Sequence, residues 1–389
     1  ENQLGTAHAV MQAESLLAGK AGTTVVVCGD TPLLRADTLR RLLDTHERQG
    51  AAASVLTAVM ADPTGYGRIL RRSDGRLERI VGPKDATQEQ LAIREVNTGI
   101  YCFDNQLLFQ MLPKVNNDNA QQEYYLPDII ALLLQEGKPI YTVLTEDPEE
   151  VLGINDRIAL AQAERIMRQR IHRDHQLNGV TILDPDNTYI EAGVEIGQDT
   201  VIYPGTFLRG KTIIGQECVV GPNADLLDMQ VADRVTITHS VLMHSTILED
   251  STVGPFAYIR PHSQVGPKAK VGDFVELKNA RLGPGSKASH LAYLGDADIG
   301  ENVNIGCGTI TVNYDGEKKH RTVVEDHVFV GCNANLIAPV RVGRGSYVAA
   351  GSTITQDVPP DSLAIARERQ LNKEGYAARL RARLRGQKN

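Results

Sequence analysis

VTITHSVLMHSTILEDSTVGPFAYIRPHSQVGPKAKVGDFVEL, residues 235–277, returns an aliphatic residue every six positions: Val235, Val241, Ile247, Val253, Ile259, Val265, Val271 and Leu277. Neither an α-helix, with about 3.6 residues per turn, nor a strand, which alternates every two, has that period. The register recurs upstream at Ile190, Ile196, Ile202, Leu208, Ile214, Val220 and Leu226. Downstream it recurs at Ile299 and Ile305, then at Val324, Val330, Leu336, Val342, Val348 and Ile354. Glycine often follows directly, as at Gly197, Gly215, Gly266, Gly272, Gly306 and Gly331. A chain that turns a corner every six residues builds a three-sided coil, with one inward side chain per side stacking on its equivalents in neighbouring coils. Each inward aliphatic contributes about 1.5–3 kcal/mol when buried, and the small residue after it sits where the corner leaves no room for a Cβ. This pattern predicts a left-handed parallel β-helix of hexapeptide repeats. A β-sandwich would show period two within strands and irregular spacing between them.

The whole chain, 389 residues with 42% hydrophobic and 23% charged, has room for two or three domains. A net charge of −7 and a pI near 5.8 argue against a general nucleic-acid or membrane binder. No apolar run is long enough to cross a bilayer, and no signal peptide is evident. The five cysteines are odd in number, dispersed and without a C-x-x-C pair, which fits reduced thiols in a cytoplasmic protein.

Residues 1–157 alternate strand-like and helix-like segments and predict an α/β domain built on an open parallel sheet. VVVCGDTPLL (Val25 to Leu34) reads as a buried strand ending at Gly29-Asp30, followed by a helix from Ala36 to Gln49. A strand from Ser54 to Met60 and a helix near Asp128 to Glu136 continue the alternation. Ligands of such sheets sit beyond the carboxyl ends of the strands. Asp30 occupies that place, either as a Mg²⁺ or phosphate-metal ligand or as an ordinary turn or N-cap residue. A polar helix at 158–178 reads as a linker, with His172 and His175 on a solvated face. The β-helix is expected over 179–366, and 367–389 is a basic tail.

Two breaks in the hexad register gather chemistry. Leu277 to Ile299 is not a multiple of six and holds Lys278, His290 and Tyr293, while TVNYDGEKKHRT (Thr311 to Thr322) is long and polar. Loops that leave a rigid solenoid are where binding groups collect. Arg260 and Lys278 lie one expected coil apart on one wall, a phosphate-sized cationic site. His290 is the best general-base candidate, with Glu276 placed to orient its ring.

LGTAH, VCGDTPL, DPTGYGRI, EVNTGIYCFD, NNDNAQQEYYLPDII and GINDR in the first domain fit one family, as do GPFAYIRP, GDFVELKNARLGPGSKASHLAYLGDADIG, NVNIGCGTITVNYDG and APVRVG in the second. The chain resembles the bacterial bifunctional N-acetylglucosamine-1-phosphate uridylyltransferase / glucosamine-1-phosphate N-acetyltransferase family over almost its whole length. The resemblance implies that His290 takes a proton from the sugar amine as it attacks acetyl-CoA, that Arg260 and Lys278 hold the sugar phosphate, and that Tyr293 and Asn304 contact the sugar. Asn313 and Tyr314 would lie beside the acetyl group, and Cys307, Cys332, Ala350 and Arg367 would line the acetyl-CoA site. Alanine and serine are common in the family at the two cysteine positions, so the thiols are a departure. In the first domain the resemblance implies Mg²⁺ at Asp30 and Asn155, with Gly5, Thr6, Gly67 and Asn97 around UTP or the sugar nucleotide formed from N-acetylglucosamine-1-phosphate. It also implies a homotrimer with acetyltransferase sites at subunit boundaries.

Two departures concern that first domain. The family's glycine-rich phosphate loop has no counterpart after Glu1, where the sequence opens abruptly, and Gly82 stands where a glutamate is usual. The expectation is therefore weak or absent uridylyl transfer, together with exposed apolar edges on the first domain. Arginines of the basic tail are expected to meet the CoA phosphates. Two other readings remain open from the residues alone: a zinc carbonic anhydrase-type β-helix using His239 and His244, and a non-catalytic scaffold.

Overall fold

The computed structural model describes residues 4–119 and 121–386; Glu1 and the last three residues of the tail lie outside them. It divides into two compact units, 1–167 and 168–389, and the boundary falls within one long helix, Arg157–Leu177.

In the first unit the strands are β1 (Thr23–Val26), β2 (Ala53–Val59), β3 (Gly67–Arg71), β4 (Leu77–Val81), β5 (Glu95–Asp104) and β6 (Ile140–Leu144). They form one sheet in the order β4-β3-β5-β2-β6, with β1 paired to β5. The sheet is mixed rather than parallel. Among the described residues only β2 and β6 run parallel, and the pairs made by β5 with β1, β2 and β3, and by β3 with β4, are antiparallel. The expected strand from Val25 to Leu34 is also shorter, ending at Val26, and Val25 and Val27 are exposed. Helix Ala36–Arg48 places Leu42 against β2 and β5, and helix Pro127–Gln135 places Ile129, Ile130 and Leu133 in the neighbouring core with Phe103 and Leu108.

One edge of β5 is shared. Its residues 96–97 pair with β3 and residues 101–104 with β1, leaving Gly99 at the split. Gly99 has φ +78°, and a Cβ there would lie 2.8 Å from the Cys28 Sγ. That left-handed backbone and the missing side chain let the two strands separate and open a cavity at the split.

The second unit is a parallel β-solenoid. Residues such as Ile214, Val231, Ile247, Val265, Leu282, Ile299, Val324 and Val342 stack coil on coil along one face. The inward positions are buried from Ile190 to Ile354 in one continuous apolar column. The glycines follow close approach rather than unusual dihedrals: a Cβ on Gly197 would sit 2.5 Å from the Gly215 backbone, and one on Gly272 would sit 1.9 Å from the Ser289 carbonyl oxygen.

The hexad register slips in several places. Leu242, not Val241, points inward, with Ile237 and Ile247 on either side, because this coil is shorter than eighteen residues and each corner there loses one. The stretch after Leu277 is not a loop. Strands Lys270–Lys278 and Lys287–Gly295 run around a corner together, in register from Lys270↔Lys287 to Lys278↔Gly295, so this coil is only one residue short. The excursion from the solenoid is the second break, between Val312 and Thr322, braced by Asp315. Its carboxylate accepts from the backbone N–H of Glu317 and Lys318 and lies 2.6 Å from His320 Nε2.

His172 also departs from expectation. It is 2% exposed, and neither ring nitrogen has a hydrogen-bond partner. Burial, then the nearby Arg168 and His175, push its pKa down to about 4.

Candidate active sites

In the solenoid, the corner between the first two faces collects the candidates into one column. Asp273 is in register with His290, and the pairings of Lys287 with Asn304, Asn304 with Phe329 and Phe329 with Tyr347 carry the column on to Cys307, Cys332 and Ala350. The residue after each one, Phe274, Leu291, Gly308, Asn333 and Gly351, has positive φ, which marks the same corner in every coil. Successive coils are spaced like strands of a sheet, about 4.8 Å apart. Cys307 therefore lies one rung from His290. Arg367 reaches the far end of the column, its Cδ 3.8 Å from the position of a Cβ on Gly351.

His290 Nδ1 lies 2.6 Å from Asp273 Oδ1. A carboxylate can only accept, so the imidazole donates from Nδ1, and in the neutral ring this tautomer leaves the lone pair on Nε2. The same bond holds the Asp273 carboxyl below its usual range. Glu276, expected to orient this ring, instead sits in register with Tyr293 and accepts from Arg260 Nη1 at 2.8 Å. A coil of seventeen residues puts Asp273 beneath His290 and leaves Glu276 beyond the corner.

Arg260 and Lys278 stack on adjacent coils as expected, Ile259 pairing with Leu277. Both are held by carboxylates. Lys278 Nζ lies 2.9 Å from Asp296 Oδ2, with side chains only 16% and 10% exposed. Asp296 also accepts from Asn279 and from Asn313, which makes Asn313 a buried brace of this pair. Lys319, on the excursion, touches Lys278, and that contact lowers its pKa. Three cations thus face two carboxylates. Tyr293 folds over Gly295, where a Cβ would come within 2.4 Å of the phenol oxygen. Asn304 is half-buried on the adjacent face, Tyr314 is exposed, and its hydroxyl donates to the Gly316 carbonyl.

Sequence reasoning missed Asp273, Asn279, Asp296 and Lys319. Asp273 was recoverable as the residue one seventeen-residue coil before His290, and Asp296 as the residue one such coil after Asn279, next to the register partner of Lys278. The His239 ring lies tilted against Phe256, centroids 5.6 Å apart, and His244 lies 3.3 Å from Asp228. Among the described residues no third ligating side chain joins them, so the donor set a zinc centre needs is not assembled there.

In the first unit a cavity of about 1020 Å³ opens at the split in β5, lined by Thr6, Cys28, Gly67, Gly82, Asn97 and Asp128 among others. Asn97 donates to the Tyr101 hydroxyl at 2.6 Å, and Thr6 Oγ1 accepts from the Leu126 backbone N–H. Gly5 is required at its turn, where φ is +105° and a Cβ would meet the Tyr124 carbonyl oxygen at 2.6 Å. Burial, with Asp85 nearby, raises the Asp128 carboxyl. Asp30 and Asn155 converge on Gly153, whose missing Cβ would lie 3.3 Å from Asp30 Oδ2 and 3.8 Å from Asn155 Nδ2. One carboxylate and one amide oxygen around an open backbone suit Mg²⁺, which takes few protein ligands and completes its shell with substrate phosphate oxygens and water.

Residues 1–150 match the nucleotidyl transferase family model, and residues 321–356 match the bacterial transferase hexapeptide model. The bifunctional protein GlmU of Brevibacillus brevis is 59% identical over 380 residues, covering 98% of this chain and 82% of that protein. This chain belongs to the GlmU family. The GlmU proteins of Geobacillus sp. strain WCH70 and Listeria innocua are 57% and 53% identical, each over 98% of this chain and 83% of their own length. Like these GlmU relatives, the chain is a bifunctional transferase with a nucleotidyltransferase unit ahead of a hexapeptide solenoid. No helix among the described residues is long and apolar enough to cross a membrane.

Proposed function

We propose that the solenoid transfers the acetyl group of acetyl-CoA to the amine of glucosamine-1-phosphate. The observations that carry this reading are the Asp273–His290 pair at the corner and the cluster of Arg260, Lys278 and Lys319 further along the same coils. The sugar phosphate binds the three cations, whose carboxylate partners fix them in place ahead of the substrate. This sets the amine near His290 Nε2, and Tyr293 and Asn304 border the sugar. The acetyl-donor site follows the column through Cys307, Cys332 and Ala350 to Arg367, with Tyr314 at its side. Nε2 accepts the amine proton as the nitrogen bonds to the thioester carbonyl carbon, and the C–S bond breaks to release the CoA thiolate. Asp273 stabilises the imidazolium so formed.

The first unit, in this reading, transfers a uridylyl group from UTP to N-acetylglucosamine-1-phosphate, with the uracil and sugar in the cavity between Thr6, Gly67 and Asn97. Mg²⁺ held by Asp30 and Asn155 would neutralise phosphate charge as it develops. Gly82 gives this wall no side chain at that position, and Asp85 stands beside it. The expected weakness of uridylyl transfer has no other support among the described residues.

Phe256, Phe274 and Leu291 form an exposed apolar strip beside Asp273 and His290, 55%, 60% and 58% exposed. A strip of this kind fits burial against neighbouring copies in a homotrimer. We infer a cytoplasmic location from the water-soluble substrates that this reading assigns.

The test is release of CoA thiol from acetyl-CoA, comparing glucosamine-1-phosphate with glucosamine. Turnover with the phosphorylated sugar and a KM raised at least about tenfold without the phosphate is expected from loss of a charge-assisted anchor. Equal KM values would reject the cationic cluster as the phosphate site.

A further inference from the structure

Of the five cysteines, Cys102 and Cys218 are buried, Cys28 is half-buried, and Cys307 and Cys332 are exposed. The two exposed thiols occupy the same corner of adjacent coils. Their rungs are tied by the backbone N–H of Asn333 donating to the Cys307 carbonyl at 2.7 Å, and that of Gly351 donating to the Cys332 carbonyl at 2.8 Å. A Cβ built on Gly306 would lie 2.6 Å from the Cys332 nitrogen, so the coils cannot slide past one another here.

That stacking determines what the pair can bind. Side chains leaving stacked rungs in parallel keep their Cβ atoms about one rung, 4.8 Å, apart. A relaxed disulfide needs Cβ atoms at about 3.5–4.5 Å, and the packed coil backbones resist closing that gap. Bridging by one additional large atom removes the mismatch, because each Sγ can rotate about its Cα–Cβ bond toward a shared centre. Thiolates favour soft, thiophilic centres.

We propose that Cys307 and Cys332 form a two-thiol clamp for trivalent arsenicals, a ligand class distinct from the substrates of either transferase reaction. With an organoarsenic(III) oxide, the two S–H groups form two As–S bonds, and the oxygen leaves as water with both thiol protons. Arsenic stays trivalent, so no oxidant or reductant takes part. The clamp belongs to the solenoid corner itself and does not depend on which acyl donor the column holds.

The experiment uses the full-length chain and phenylarsine oxide. Intact mass should show one arsenical per chain, and titration of accessible thiols should fall by two. A dithiol should strip the adduct, whereas a monothiol at equal thiol concentration should not. C307A and C332S, examined singly, should release the arsenical about 10²–10⁴-fold faster, the loss of effective concentration expected when one of two linked contacts is removed. Three results would overturn the proposal: consumption of a single thiol per arsenical, release unchanged in either variant, or a Cys307–Cys332 disulfide forming readily with diamide. Should a variant fail to fold, the thiol count per arsenical in the parent chain decides alone.

Discussion

Gly272→Ala tests whether the spacing between coils sets the catalytic geometry. The new Cβ would lie 1.9 Å from the Ser289 carbonyl oxygen, and real Cβ contacts do not fall below 3.0 Å. The rung between Gly272 and Ser289 must therefore open by about 1 Å, and overpacking of this kind costs about 1–3 kcal/mol of stability. Gly272 immediately precedes Asp273, and Ser289 immediately precedes His290. The displacement falls on the pair that orients the imidazole. A misplacement of about 1 Å at a reacting group costs about 10²-fold in rate, so kcat for CoA release should drop by that order while the KM for acetyl-CoA changes little. Gly197→Ala provides the comparison, since it meets the Gly215 backbone at 2.5 Å in a coil remote from the column. It should lower the unfolding temperature but leave kcat intact. If Gly272→Ala retained the parent kcat while showing the same stability loss, coil spacing would not control the site and the reasoning would be refuted.

Three further outcomes are expected. Because the His172 pKa is depressed to about 4 in the fold from about 6.5 unfolded, the fold holds it neutral; its contribution is complete above about pH 6.5 and is lost as pH falls toward 4, at most about 3 kcal/mol. His172→Leu should flatten acid destabilisation of the solenoid over that window, read from unfolding midpoints, and an unchanged pH slope would contradict this. Asp296→Ala strands Lys278 and removes the acceptor of Asn279 and Asn313, so it should cost about 3–5 kcal/mol in urea unfolding and raise the KM for glucosamine-1-phosphate. Asp30→Asn should shift the Mg²⁺ dependence of any uridylyl transfer to higher concentration, measured by pyrophosphate release, and leave acetyl transfer untouched.

The solenoid was legible because burial repeats coil after coil: Ile190 through Ile354 stack where the hexad count places them. The count failed at Val241, where a shortened corner moved the inward position to Leu242, because corner length responds to local packing that spacing does not encode. Coil length also hid the partner of His290. Glu276 was attractive as the neighbour of Lys278, but one seventeen-residue coil selects Asp273. In the first unit, alternating strands and helices read as a parallel sheet, yet β5 pairs antiparallel with three partners. Strand direction is decided by long-range connections, and periodicity within a strand does not report it. His172 looked solvated on a charged helix because its own segment is polar, yet the fold leaves it only 2% exposed.

The most direct test of the central claim is CoA thiol release with glucosamine-1-phosphate by His290→Ala. General-base assistance predicts a fall in kcat of about 10²–10⁴-fold, with substrate KM values and the unfolding temperature essentially unchanged. A variant that turned over within about threefold of the parent, well short of the effect expected of a general base, would contradict the account.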